Sequence, residues 1–275
     1  MKNQLKAGVI LSYISTVITI AIQLIYMPVM IRLLGKSEYG LYSLVSSVVS
    51  YLSLFSLGFT GAYVRFFAKS CNNKEKLASL NGMFLTLFSI LAALATICGL
   101  ILSFFPEQIF GSKLSDLELA KARILMIILV INIAISLISG MFDSIIGAYE
   151  QFIFQRIAGL ISSIVNPFIC LPLLLLGHGS VMLVVVTTLI TFVRFVVNVW
   201  FCIYKIKIPV SFHGFQWSLL KEITVFSSFL LINMVIDQIN WNIDKLILGH
   251  TSGTEEIAVY GVASQFNSLF MTFST

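Results

Sequence analysis

The chain has 275 residues, 58% of them hydrophobic and 11% charged, with a formal charge of +5 and a mean hydropathy of +0.99. A soluble domain carries about 25% charged residues, whereas here apolar runs of about 20 residues, the length that crosses a hydrocarbon core ~30 Å thick, recur along the whole sequence. Composition therefore excludes a soluble domain, and continuous runs argue against the period-two alternation of a β-barrel, which leaves an all-α, polytopic helical membrane protein.

The basic N-terminus, Met1 to Lys6, precedes an apolar run that reaches Leu34. That run is too long for the apolar core of a secretory signal, and no small-residue cleavage site interrupts it. It reads as a retained first helix over residues 9–34. Ser12, Thr16, Thr19, Gln23 and Tyr26 fall at steps of four, three, four and three, so they share one face. Pro28 removes a backbone bond and predicts a kink in the outer third. The second helix follows a polar turn, Gly35 to Glu38, and carries no charge from Tyr39 to Val64. Ser43, Ser46, Ser47 and Ser50 recur along it; Gly58 and Gly61 follow, then Arg65. This predicts one spanning helix whose small, polar face ends in a fixed positive charge.

Helix three is predicted over residues 77–104 and is mostly apolar, and a polar loop of mixed charge runs from Pro106 to Asp116. Helix four, 119–147, carries Asn132, Ser136, Ser139 and Asp143. Helix five, 152–176, contains Asn166, Pro167 and Pro172, which are expected to break it. Helix six, 181–204, has Thr187, Thr191, Arg194 and Asn198 on one face. The polar connection from Lys205 to Ser218 marks a boundary between an N-terminal transmembrane bundle of about six helices, 1–208, and the start of a second bundle, 209–275. Helix seven, 219–249, has Asn233, Asp237, Asn240 and Asp244 at steps of four, three and four. Helix eight begins near Glu256 with Tyr260, Ser264 and Asn267, and the chain ends inside it, as a fragment or a truncated gene product would.

Lys and Arg gather in alternate loops. Lys2, Lys6, Lys69, Lys74, Lys76, Arg156, Lys205, Lys207 and Lys221 lie on one side; the other side has little beyond Lys36 and Lys113. The positive-inside rule puts the N-terminus in the cytoplasm and accounts for the net charge without nucleic acid. Cys71, Cys98, Cys170 and Cys202 form no CxxC pair and read as inert thiols. His178, His213 and His250 are scattered over predicted loops. No metal site or cofactor is indicated.

Leu34-Gly35, Tyr39-Gly40, Leu57-Gly58 and Arg65 follow one another in the stretch Arg32 to Lys69. In that order and spacing the stretch resembles the start of the polysaccharide-biosynthesis flippases. These belong to the multidrug/oligosaccharidyl-lipid/polysaccharide exporter superfamily. The resemblance implies two related bundles of six helices, with helices one, two, seven and eight around a central cavity. It also implies transport of a polyprenyl-diphosphate-linked oligosaccharide across the bacterial inner membrane by alternating access, without covalent chemistry; the chain is not expected to be an enzyme.

Polar atoms in hydrocarbon are costly, so a stripe of them should face water or protein. Stripes on helices one, two, seven and eight suggest one aqueous cavity. Those on helices four and six read as glue between helices, with Asp143 and Arg194 as a candidate buried pair. The candidate substrate residues are Arg65, Gln23, Asn233, Asp237, Asn240 and Asp244. A guanidinium at Arg65 suits a diphosphate; an interfacial anchor that snorkels to lipid headgroups fits equally, and the resemblance favours substrate. Asp237 and Asp244 could bind a coupling proton or sodium ion, hydrogen-bond sugar hydroxyls, or pair with a basic residue. The rival functions are a drug or cation antiporter of the same superfamily, with a more apolar cavity, and a membrane glycosyltransferase or polymerase. The latter would need a sizeable loop with clustered acids or histidines, and no DxD occurs.

Overall fold

The computed structural model describes residues 2–56, 58–111, 114–212 and 217–274. Leu57, Lys113 and His213, named above, lie outside these residues, as do the side chains of Lys2 and Lys6. Among the described residues, ten α-helices follow one another: α1 (Lys2–Leu34), α2 (Lys36–Ser50), α3 (Phe59–Ser70), α4 (Lys74–Ser103), α5 (Pro106–Phe110), α6 (Asp116–Ala148), α7 (Phe152–Leu175), α8 (Ser180–Trp200), α9 (Trp217–Thr251) and α10 (Thr254–Ser274). A 3₁₀ turn, Tyr51–Ser56, follows α2, and a π-helical turn, Phe201–Ile206, extends α8. Among the described residues, seven helical spans are long and apolar enough to cross a membrane.

The helix starts are chemically marked. Asn73 accepts from the backbone N–H groups of Glu75 and Lys76 and opens α4. Ser115 and Glu118 form a reciprocal capping box at the start of α6. The predicted second helix is not continuous. It tightens into the 3₁₀ turn and breaks at Gly58, which adopts φ 69°, a conformation in which only glycine is unstrained. A side chain there would also meet Leu230 Cβ of α9 at 2.6 Å. Helix α7, by contrast, runs through Pro167 and Pro172 to Leu175. A membrane-spanning helix tolerates proline where the freed carbonyls face a polar cavity or neighbouring helices.

Helix α6 is the central post, packing on α4, α8, α2 and α3. One apolar cluster joins Tyr63 and Phe66 of α3 to Phe84 and Phe88 of α4, Ile145 of α6 and Cys202. Aromatic edges interlock there: the Tyr63 and Phe84 rings meet at 5.2 Å and 86°. A second cluster joins Leu41 and Leu44 of α2 to Phe110, Leu125 and Met126.

Lys69, Lys74, Lys76, Lys205, Lys207 and Lys221 all fall at one end of the bundle, here termed the basic end, because they flank the ends of neighbouring antiparallel helices. There Lys69 pairs with Glu222 of α9 at 2.9 Å. The connection after Ile206 is docked along α4: Ser211 N–H donates to Ala78 O, and Asn81 Nδ2 donates to Pro209 O at 2.8 Å. At the far end Glu118 accepts from Ser37 Oγ at 2.8 Å and from Thr254 Oγ1 at 3.0 Å, tying α2, α6 and α10 together. Glu38 accepts from Ser180 N–H and Oγ and pairs with Lys121, which adds α8 to the same clasp.

Candidate functional site

A cavity of about 740 Å³ lies among α1, α2, α6, α7, α8 and α10. Its walls carry Thr19, Gln23 and Tyr26 from α1, Ser136, Ser139 and Asp143 from α6, and Thr187, Thr191 and Arg194 from α8. From α7 come Ser162, Ser163 and Asn166, and α10 adds Gln265. Several hydroxyls donate back to their own helix: Thr187 to Leu183 O, Thr191 to Thr187 O, and Ser162 to Ala158 O. Their oxygens keep acceptor capacity toward the cavity. Pro167 lacks the N–H that would bond the Ser163 carbonyl four residues back, which leaves that acceptor without its helical donor at the cavity wall.

Among the described residues of these walls, Asp143 and Arg194 form an ion pair. Arg194 Nη2 lies 3.3 Å from Asp143 Oδ2 and 3.4 Å from Oδ1, and Asn198 Nδ2 donates to Oδ1 at 3.0 Å. The pair anticipated from sequence therefore forms, and it borders an open cavity. Arg194 and Asp143 side chains remain 34% and 26% exposed. The polar stripes of helices four and six, read from sequence as glue, are a principal wall of this cavity. Glue exists beside it: Asn132 Nδ2 donates to Thr191 at 3.0 Å, and Asn166 Nδ2 to Thr187 at 3.2 Å.

The six candidate residues do not converge. Gln23 is in the cavity. Arg65 is exposed in a separate hollow of about 490 Å³ between α3 and α9, lined also by Lys221, Glu222, Val225, Phe226 and Phe229. Its guanidinium carbon sits 4.5 Å from the centre of the Phe226 ring, within cation–π range. The two hollows share no lining residue. Asn233, Asp237 and Asn240 are exposed along α9, and Asp244, half-buried, accepts from Tyr260 of α10. None of these four lines the 740 Å³ cavity. They share a face of α9 with Phe226 and Phe229 of the Arg65 hollow, because Phe226, Phe229, Asn233, Asp237, Asn240 and Asp244 follow at steps of three, four, four, three and four. That face extends along about 27 Å of helix.

The serines of helix two pack instead of facing the cavity. Ser43 and Ser47 are buried, Ser47 donates to Leu44 O, and Ser50 donates to Ser47 O. Sequence reading also missed a second polar line on α9. Gln238 donates to Ser53 Oγ at 3.2 Å and accepts from Ser50 and Asn242. Its signal was present as Met234, Gln238 and Asn242 at steps of four. Among the described residues, no three of His, Cys, Asp and Glu gather as a metal site would require. Cys170 and Cys202 are buried and Cys71 is exposed.

Spanning apolar helices packed around a polar cavity define a multi-pass membrane protein. Residues 5–273 match the polysaccharide biosynthesis protein family, and the chain belongs to that family. A relative from Shigella flexneri, named "Putative O-antigen transporter", is 23% identical over 239 residues, covering 85% of this chain and 55% of the relative. The fold matches a solved structure of the outward-facing conformation of a multidrug resistance MATE family transporter of the MOP superfamily. There the TM-score is 0.68 and the identity 18%, over 95% of this chain and 60% of that one. The chain thus spans little more than half the length of these relatives.

Proposed function

We propose that the chain works in a flippase that moves a polyprenyl-diphosphate-linked oligosaccharide across a bacterial inner membrane by alternating access. The observation that carries the reading is the 740 Å³ cavity, walled by hydroxyls and amides within apolar helices. Such a wall matches sugar hydroxyls, and its volume lies within the ~300–1,000 Å³ typical of ligand pockets. A drug or cation antiporter would call for a more apolar wall. Residues 1–208 form the first bundle and 209–275 open a second; the end of helical structure at Ile206 supports that division. The lipid diphosphate meets Arg65 at the basic end, and the exposed ladder from Asn233 to Asp244 offers amides and carboxylates to sugar or to a coupling proton or sodium ion. No covalent step is required.

The test is transport itself. Proteoliposomes loaded with a fluorescent polyprenyl-diphosphate oligosaccharide in one leaflet should equilibrate the head group across the bilayer when the protein is present. Equilibration no faster than in protein-free vesicles would defeat the reading.

The proposed orientation places the basic end in the cytoplasm. Ser37 and Cys71 lie at opposite ends of the same predicted span, and both are exposed. In intact spheroplasts, Ser37→Cys in a Cys71→Ser background should react with an impermeant maleimide, and native Cys71 should react only after lysis. The opposite pattern would invert the topology.

A further inference from the structure

The Asp143–Arg194 pair is loosely made. One nitrogen, Nη2, faces both carboxylate oxygens at 3.3 and 3.4 Å, whereas strong charge-assisted bonds of this type are about 2.7–2.9 Å and use two nitrogens in a fork. Arg194 Nε is buried and has no partner. A guanidinium has five N–H donors, and here a single nitrogen is engaged. Asp143 depends less on this contact, since Asn198 Nδ2 holds it at the shorter distance of 3.0 Å. Both members of the pair line the cavity and the Arg194 side chain is 34% exposed, so the outer, Nη end of its guanidinium adjoins space that a ligand can enter, while the buried Nε does not.

We propose that Arg194 is the oxyanion-binding residue of the first-bundle cavity and that Asp143 occupies its guanidinium only while the cavity is empty. The ligand class is a carboxylate or phosphate group on a sugar-bearing molecule. Its oxyanion takes the forked edge of Arg194, and its hydroxyls meet Gln23, Ser136, Asn166 and Thr191. Asp143 then stays with Asn198. This rests on the reading of the cavity as a sugar site, and it differs from the Arg65 hollow, which shares none of its residues. Two sources could supply the oxyanion: an acidic sugar in the oligosaccharide, or the diphosphate of the lipid carrier.

Asp143 competes with the ligand for one cation, so the two partners have opposite effects when replaced. A purely structural pair would lose function together. The experiment is isothermal titration of the purified protein in phosphatidylcholine nanodiscs with trigalacturonate, with neutral galactotriose, and with inorganic pyrophosphate. Wild type should bind at least one of the two anions. Arg194→Gln should weaken that binding at least about tenfold, the scale of losing one charged partner, and Arg194→Lys should fall between, keeping charge without the fork. Asp143→Asn should tighten it severalfold, and neither substitution should alter galactotriose binding. Binding of trigalacturonate alone assigns the site to an acidic sugar, and binding of pyrophosphate alone assigns it to the carrier. Anion binding that is equal in wild type and Arg194→Gln, absent from wild type, or weakened by Asp143→Asn would overturn the proposal. A protein that still flips lipid under any of those outcomes would retain the transport reading and lose this one.

Discussion

Under the proposed flippase function, replacing Arg65 with alanine is expected to abolish export of the lipid-linked oligosaccharide while the protein stays inserted at normal abundance. The guanidinium is exposed beside Lys221 in a hollow floored by Phe226 and Phe229. Phe226 holds it from one face at 4.5 Å, and its forked edge is free to meet a diphosphate in two-point geometry. Arg65→Lys keeps the charge and loses the fork, so it should retain partial export. An interfacial anchor predicts otherwise: any snorkelling cation would serve, lysine would be fully active, and alanine would lower abundance. Lys69, paired with Glu222 one helical turn away, already joins α3 to α9, so removing Arg65 leaves that contact standing. The measurement is surface glycan per unit of membrane-inserted protein for wild type and both variants. Full export by Arg65→Ala at normal abundance would remove Arg65 from the substrate site.

Periodicity made the helices legible, but not their surroundings. The spans predicted from apolar runs agree with α4 and α6 to α10 within a few residues, and with α1 at its end, although α1 starts seven residues before the predicted Val9, because a run of about 20 apolar residues has few other stable forms in lipid. The break at Gly58 was hidden, since one glycine in an apolar run looks the same whether its φ is positive or negative. Spacing marks which face of a helix is polar but not what lies opposite that face. Ser43 and Ser47 pack between helices, while Asp143 and Arg194 border the cavity, yet each set has the same three-and-four spacing. Which stripe meets water depends on which helix lies opposite, and spacing within one helix carries no information about that. The same holds for Gln238, whose partners Ser50 and Ser53 are almost 190 residues away in sequence.

The largest expected effect on the fold comes from adding one methyl group at Gly40. Helix α10 crosses α2 so closely there that a Cβ would fall inside the carbonyl of Thr254. That carbonyl is backbone at the start of α10 and cannot swing aside as a side chain would. Overpacking of this kind costs about 1–3 kcal/mol, against which alanine returns up to ~1 kcal/mol of helix propensity. Gly159 in α7 has nothing within 4 Å of its hypothetical Cβ, so Gly159→Ala keeps the propensity gain without the clash. The two substitutions should therefore move the melting temperature in detergent in opposite directions, down for Gly40→Ala and up or unchanged for Gly159→Ala. A second readout locates the damage. Ser37 Oγ and Thr254 Oγ1 are 3.3 Å apart, close enough for cysteines at both positions to crosslink with modest adjustment. In a Cys71→Ser background, Ser37→Cys with Thr254→Cys should form a disulfide on mild oxidation, and adding Gly40→Ala should slow it severalfold while Gly159→Ala leaves it unchanged. Equal melting and equal crosslinking in all three proteins would mean that α2 and α10 do not meet at Gly40, and no disulfide in any of them would remove the clasp of Ser37, Glu118 and Thr254 at the far end.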